Sequence, residues 1–159
     1  MSKGFMRRRL LEPIIELLKQ GVTPEKMALS LALGAAFGVF PALGSTTTLC
    51  AILALVLRLN LPAIQMVNYL MYPAQIALLL PYVRMGEKLF DAPHLPISVS
   101  QIHAMIRQSM WGALKLLWAT TWHAIVVWAL TAPFFIGLLY VTLTPLLRRL
   151  LREPPREAA

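Results

Sequence analysis

The sequence predicts an all-α integral membrane protein with a short helical hairpin, two longer transmembrane helices and amphipathic interfacial helices. Composition is the first ground: 58% of the 159 residues are hydrophobic and 14% are charged, with a mean hydropathy of +0.65, where soluble domains usually fall below zero. The second is the distribution of charge. Met27 to Leu57 (31 residues), Leu61 to Val83 (23) and Leu116 to Leu147 (32) carry no Lys, Arg, Asp or Glu. A soluble core in so short a chain cannot hide that much uncharged sequence. The third is where the bases lie: Lys3, Arg7, Arg8, Arg9, Lys19 and Lys26 precede the first window, and Arg148, Arg149, Arg152 and Arg156 follow the last. Flanking positive charge marks a cytoplasmic membrane face and attracts anionic headgroups. The net charge of +8 is therefore not read as a nucleic-acid surface, which needs its cations on one soluble face.

Residues 1–22 form a basic amphipathic segment. Phe5, Leu10, Leu11, Ile14, Ile15, Leu17 and Leu18 alternate with charges, and Pro13 interrupts the run, which suits an interfacial helix on the inner leaflet. Glu12, Pro13 and Glu16 also break any apolar core of a cleaved signal, so none is expected. Gly21 stops this segment, and Thr23-Pro24-Glu25 has the cap, first-turn proline and early acid of a new helix, predicted from Pro24 to about Phe40. Its uncharged part spans only about 21 Å at about 1.5 Å per residue, short of a hydrocarbon core of about 30 Å. Pro41-Ala42-Leu43-Gly44 breaks it, Ser45 to Thr48 can cap a second helix, and that helix runs through Leu49 to Leu57 until Arg58, Asn60 and Pro62. Two short helices within one uncharged window read either as a re-entrant hairpin or as two tilted short crossings.

Pro62 can open a third helix, and Leu61 to Val83 is long enough to span once, with bends expected at Pro73 and Pro81. Arg84, Glu87, Lys88 and Asp91 mark its exit. Residues 91–115 read as a turn-rich linker followed by an amphipathic helix, capped by Ser98 or Ser100 and carrying Ile102, Met105, Ile106 and Met110 on one side. Residues 116–147 are expected as one long helix kinked near Pro133 and Gly137, with Trp111, Trp118 and Trp122 towards one interface and Tyr140 towards the other. A basic cytoplasmic tail, 148–159, closes the chain, and both termini fall on the cytoplasmic side.

Pro24-Glu25-Lys26 with Ala28, then Gly34-x-x-x-Gly38-x-Phe40-Pro41-x-x-Gly44-x-Thr46, then Leu57-Arg58-Leu59-Asn60-Leu61-Pro62, and finally Tyr72-Pro73 and Gly86 form a spaced string of motifs. In these residues the chain resembles the bacterial family catalogued as domain of unknown function 2062. The likeness covers Thr23 to Phe90 well and the last helix loosely, so 23–90 is taken as the family core. Tyr72-Pro73 stands where many members show Asn-Pro. Some relatives are fused to glycosyltransferases that use polyprenyl-phosphate sugars, so the resemblance implies lipid-linked carbohydrate as the substrate field.

Ser30, Gly34 and Gly38 recur every four residues and form a small-residue ridge for close helix packing. Gly44, Ser45, Thr46 and the two threonines after them stand where a broken helix restarts, so free backbone N–H groups and hydroxyls can meet a phosphate or carboxylate, or the hydroxyls merely cap. Arg58 ends a short helix and either snorkels or faces a headgroup; Arg84 pairs with Glu87 or faces the substrate. Asn60, Asn68 and Gln75 are amides in or beside apolar windows and should face the bundle, bonding broken backbone or lining a polar path. His123 is the titratable side chain of the last window.

Cys50 lies alone inside an apolar run and reads as packing. The three histidines show no metal-ligand spacing, and no nucleophile stands with a base, so no enzyme activity, metal or cofactor is expected. The functional expectation is transport or handling of an anionic lipid-linked, polyprenyl-phosphate-like substrate in the bacterial inner membrane. Its binding residues would be Gly44, Ser45, Thr46, Arg58, Asn60 and Arg84, in a homo-oligomer or larger membrane complex. The competing expectation is a non-transporting scaffold or accessory subunit of an envelope or glycan-assembly complex, whose ridge and basic ends organise a partner and anionic lipids.

Overall fold

Thr23 starts the first helix as the sequence suggests. Its Oγ1 accepts a hydrogen bond from the Lys26 N–H at 3.3 Å, and Pro24 opens helix α1, Pro24–Gly38. The computed structural model describes residues 23–94, 103, 107 and 109–152. The expected interfacial helix within 5–19 and the tail beyond Arg152 lie outside the described residues, as does the amphipathic helix from Ser98 or Ser100 apart from His103 and Arg107, which are helical. All regular structure that is described is helical: α1, then α2 (Thr46–Val56), α3 (Leu61–Leu70), α4 (Tyr72–Leu89) and α5 (Met110–Arg152).

Helix α1 ends two residues earlier than expected, because the Phe40 N–H turns back to the Phe37 carbonyl at 3.1 Å and tightens the chain ahead of Pro41. Gly44, at φ 84°, completes the turn into α2 in a conformation that a side chain would strain. After α2 the chain closes with a bond from the Leu59 N–H to the Ala54 carbonyl at 2.8 Å, which places Arg58 in the left-handed region at φ 51°. Asn60 then caps α3, its Oδ1 accepting from the Ala63 N–H at 2.9 Å, with Pro62 in the first turn.

The segment expected as one span bent at Pro73 and Pro81 is divided. Helices α3 and α4 meet at Met71 and are bent by 62°. Pro73 lacks an N–H for the Tyr69 carbonyl and crowds the preceding turn, so the break falls there, while Pro73 itself sits comfortably in the first turn of α4. Pro81 lies inside α4 without ending it, and α4 continues past Val83 to Leu89. Helix α5 is also longer than expected: it starts at Met110, so this residue belongs to α5 and not to the linker helix, and it runs on through Pro133 and Pro145.

Helices α1 and α3 lie side by side in the same direction, in register every four residues. Ser30 Oγ accepts from the Asn60 N–H at 3.2 Å. A Cβ on Gly34 would stand 2.6 Å from the Ile64 carbonyl oxygen, and one on Gly38 would stand 2.6 Å from Met71 Cβ. The small-residue ridge of α1 is thus the surface on which α3 rests, and α2 folds back against both. Leu33, Cys50, Ala54 and Ile64 form the core between these three helices; complete burial of a side chain such as Ile64 contributes about 1.5–3 kcal/mol.

Helix α5 runs antiparallel to α1 and to α4. Arg148 Nε donates to Glu25 Oε1 at 2.8 Å at one end, and Trp128 Nε1 donates to the Ala36 carbonyl at 2.9 Å further along. Beyond that, Gly86 of α4 brings its backbone against His123, where an added Cβ would lie 2.9 Å from the His123 carbonyl carbon. A second core cluster, Val39, Trp128 and Ala132, joins the end of α1 to α5.

These contacts rank the glycines. Gly34→Ala or Gly38→Ala should lower the thermal midpoint in detergent by the equivalent of about 1–3 kcal/mol, since backbone or a core side chain must move. Gly137→Ala meets nothing within 4 Å and should raise it by up to about 1 kcal/mol through helix propensity.

Candidate functional site

The turn between α1 and α2 is built from groups that lack partners of their own. The end of α1 leaves carbonyls, Pro41 has no N–H, and the first turn of α2 leaves N–H groups. Side chains from other helices take up the carbonyls. Gln75 Nε2 donates to the Phe40 carbonyl at 2.7 Å, and Trp128 Nε1 donates to Ala36 between edge-on contacts with Phe37 and Phe40 at 5.0 and 4.8 Å. Gln65 Nε2 donates to the Thr47 carbonyl at 2.9 Å, and its Oε1 accepts from Asn68 Nδ2 at 3.2 Å. Because Thr47 O accepts, Gln65 must present its NH2 there, so Asn68 must turn its own NH2 to Gln65. Asn68 Oδ1 is left as a buried acceptor without a partner among the described residues.

The N–H side of the turn is served differently. Ser45 occupies the N-cap of α2 but makes no side-chain cap bond; its Oγ donates back to the Ala42 carbonyl at 2.8 Å. Capping by Ser45, one of the two readings open in the sequence, is therefore not the role its hydroxyl plays. Thr46 is buried, whereas Gly44, Thr47 and Thr48 are exposed, and nothing stands within 4 Å of the Cβ position of Gly44.

The residues expected to bind a headgroup together are spread over three levels. Gly44, Ser45 and Thr46 are at the turn. Arg58 and Asn60 are at the other end of α2, about 16 Å away for its eleven residues at about 1.5 Å each. Asn60 serves structure, capping α3 and, through Ser30, tying it to the Lys26 carbonyl at 2.8 Å. Arg84 is more than three turns into α4, where its Nη1 pairs with Glu87 Oε2 at 2.7 Å. A single site made from all six residues does not assemble, because helix lengths separate them and a buried acid has claimed Arg84.

Around that acid lies a second polar group. The side chain of Glu87 is 1% exposed and also meets His94 Nδ1 at 2.8 Å. Phe90 stacks on His123 with centroids 4.3 Å apart, so His123 packs between Phe90 and Gly86. At the opposite end, Glu25 is held below its ordinary value by its backbone hydrogen bond first and by Arg148 second. Its tie to Arg148 is thus complete above the range of an unfolded carboxyl and is lost as pH falls through the lowered folded value.

Trp128 and Gln65 were not singled out in the sequence. Trp128 carried a signal: a tryptophan deep in an uncharged helix, away from both interfaces, must find an acceptor for its N–H. Gln65 carried only its amide. The two buried amides differ in consequence. Gln75→Leu leaves the Phe40 carbonyl unmet and should cost about 1–3 kcal/mol, whereas Asn68→Leu removes an unmet acceptor and should stay within about 1 kcal/mol of wild type. Thermal unfolding of the two variants in one detergent separates them.

No curated protein and no solved structure matches the chain. A family described as an uncharacterised protein conserved in bacteria, DUF2062, matches residues 7–153, and with nearly the whole chain covered, the protein belongs to that family.

Proposed function

We propose that this protein is a multi-pass component of the bacterial inner membrane that handles an anionic lipid-linked substrate of the polyprenyl-phosphate kind, without itself catalysing a reaction. In this reading both termini are cytoplasmic, α1 and α2 form a re-entrant hairpin, α3 with α4 makes one broken span, and α5 makes the other. Support for two spans is compositional. Met110–Leu150 is long and apolar enough to cross, and α3 with α4 passes the same test as a bent pair.

One observation carries the functional part. The hairpin turn contacts α5 at Trp128 and Ala132, and Ala132 is at the middle of the uncharged window Leu116 to Leu147. At that depth the N-terminus of α2, without a side-chain cap, stands beside exposed Gly44, Thr47 and Thr48. Backbone N–H groups facing hydrocarbon cost several kcal/mol each, so they call for water, protein or an anionic group. Half-helix N-termini serve anionic substrate groups in transporters in this way. An oligomer or larger complex would wall off such a path, since one chain offers few helices. The scaffold reading is favoured by a different observation, the commitment of Arg84 to Glu87, which withdraws one expected cation from substrate.

Native mass spectrometry of the protein extracted with its own lipids tests the proposal. Wild type should retain a defined anionic lipid, and Thr47→Val, which removes an exposed hydroxyl while keeping the side chain's shape, should lose it. Retention of only bulk phospholipid, equal in the two, would transfer the assignment to the scaffold.

A further inference from the structure

Four cations from three helices reach one end of the bundle. Lys26 is in the first turn of α1, Arg58 follows α2, and Arg148 and Arg149 are near the end of α5. Two sets of bonds fix this common level. Arg148 holds Glu25 at 2.8 Å, and the Ser30 hydroxyl links the Lys26 carbonyl to the N–H of Asn60, two residues after Arg58. Glu25 is the one acid at this end among the described residues, and Arg148 occupies it.

Arg58 stands apart from the other three. Its backbone is left-handed at φ 51°, at the position that closes a helix and that glycine fills without steric cost. Its exposed side chain makes no hydrogen bond or ion pair among the described residues, so none of their contacts accounts for an arginine there. It also borders an apolar surface: Leu55 and Val56 are each 73% exposed, and Leu57 and Leu61 are exposed beside them. A guanidinium at the edge of exposed aliphatic side chains matches the boundary between acyl chains and phosphates.

We propose that Arg58 binds the phosphate of an anionic phospholipid at the base of the hairpin, with the lipid's acyl chains along Leu55 and Val56. Lys26 adds charge at the same level. The proposal rests on the membrane placement given above, and it is independent of the hairpin turn as a substrate site. Backbone strain at this position is borne for contact with the bilayer, and the structural role alone would be met better by glycine.

That division gives a test in which stability and binding move in opposite directions. The full-length protein in detergent is titrated with phosphatidylglycerol and, separately, phosphatidylcholine, and bound lipid is counted by native mass spectrometry alongside thermal unfolding. Arg58→Gly should raise the unfolding midpoint and weaken phosphatidylglycerol binding about fivefold, the factor for one cation at an anionic surface. Phosphatidylcholine binding should not change. Arg58→Asn, which tolerates the same backbone, should also lose phosphatidylglycerol binding. Arg149→Gln removes an exposed cation at the same end and should cost less; an equal loss would mean diffuse charge and would overturn the site. Phosphatidylglycerol bound by Arg58→Gly as tightly as by wild type would overturn it too, as would a polyprenyl phosphate displacing phosphatidylglycerol from Arg58 preferentially. Thr47→Val separates the two proposals, because it should bind phosphatidylglycerol normally even where substrate retention fails. Recovery of the chain without detergent from the soluble fraction would overturn both.

Discussion

Gly34 and Gly38 set the distance on which the rest of the structure depends. With a Cβ at either position α3 would be displaced from α1, since the Ile64 carbonyl and Met71 stand at 2.6 Å from where it would be. That approach does more than bury apolar surface. It aligns Asn60 with Ser30 at the start of α3 and brings Met71, where the helix breaks, against the end of α1. The break in α3–α4 and the turn between α1 and α2 therefore share one level. Two interruptions of helix placed together can be served by the same few side chains, which would not hold if they were separated along the bundle.

Those side chains work as a set because each comes from an element the glycine contact has already positioned. Gln75 is one turn into α4, directly after the break, and reaches Phe40. Trp128 comes from α5 and reaches Ala36 while its ring closes the core with Val39 and Ala132. An unmet buried carbonyl costs about 1–3 kcal/mol. Satisfying both from rigid helices also fixes where the hairpin ends. Among the described residues the exception, Asn68 Oδ1, follows from the direction in which the Gln65 chain of amides must run.

Much of this was legible in the sequence, and the limits have a physical pattern. Local signals worked: Thr23 with Pro24, Asn60 with Pro62, and the four-residue recurrence of Ser30, Gly34 and Gly38 are short-range chemistry that the structure uses as read. Helix breaks were less legible, because a proline forbids one bond without saying whether its neighbours tolerate the loss. Pro73 ends a helix and Pro81 does not, though both sit in one uncharged run. The candidate site was the least legible part. Gly44, Arg58 and Arg84 fall within one family core but stand at different levels, since each is separated from the next by helical rise that motif spacing does not convey. The pairing of Arg84 depended on the burial of Glu87, which nothing in an isolated four-residue stretch reveals.

The two left-handed residues show how local conformation and surroundings can be told apart. Arg58 at φ 51° and Asp91 at φ 49° close α2 and α4 with the same bond, Leu59 N–H to Ala54 at 2.8 Å and Ala92 N–H to Glu87 at 2.9 Å. For Asp91 the conformation is explanation enough, because a short polar side chain visits this region readily by bonding to nearby backbone. Arginine has no such local compensation. The same fold element therefore carries a residue suited to its backbone at one end of the bundle and a residue unsuited to it at the other. The two ends differ in what surrounds the side chain. Asp91 lies in the chain between Glu87 and His94, which are paired, while Arg58 follows exposed Leu55, Val56 and Leu57. A long side chain with an apolar stem and a charged head suits those neighbours as no smaller residue would.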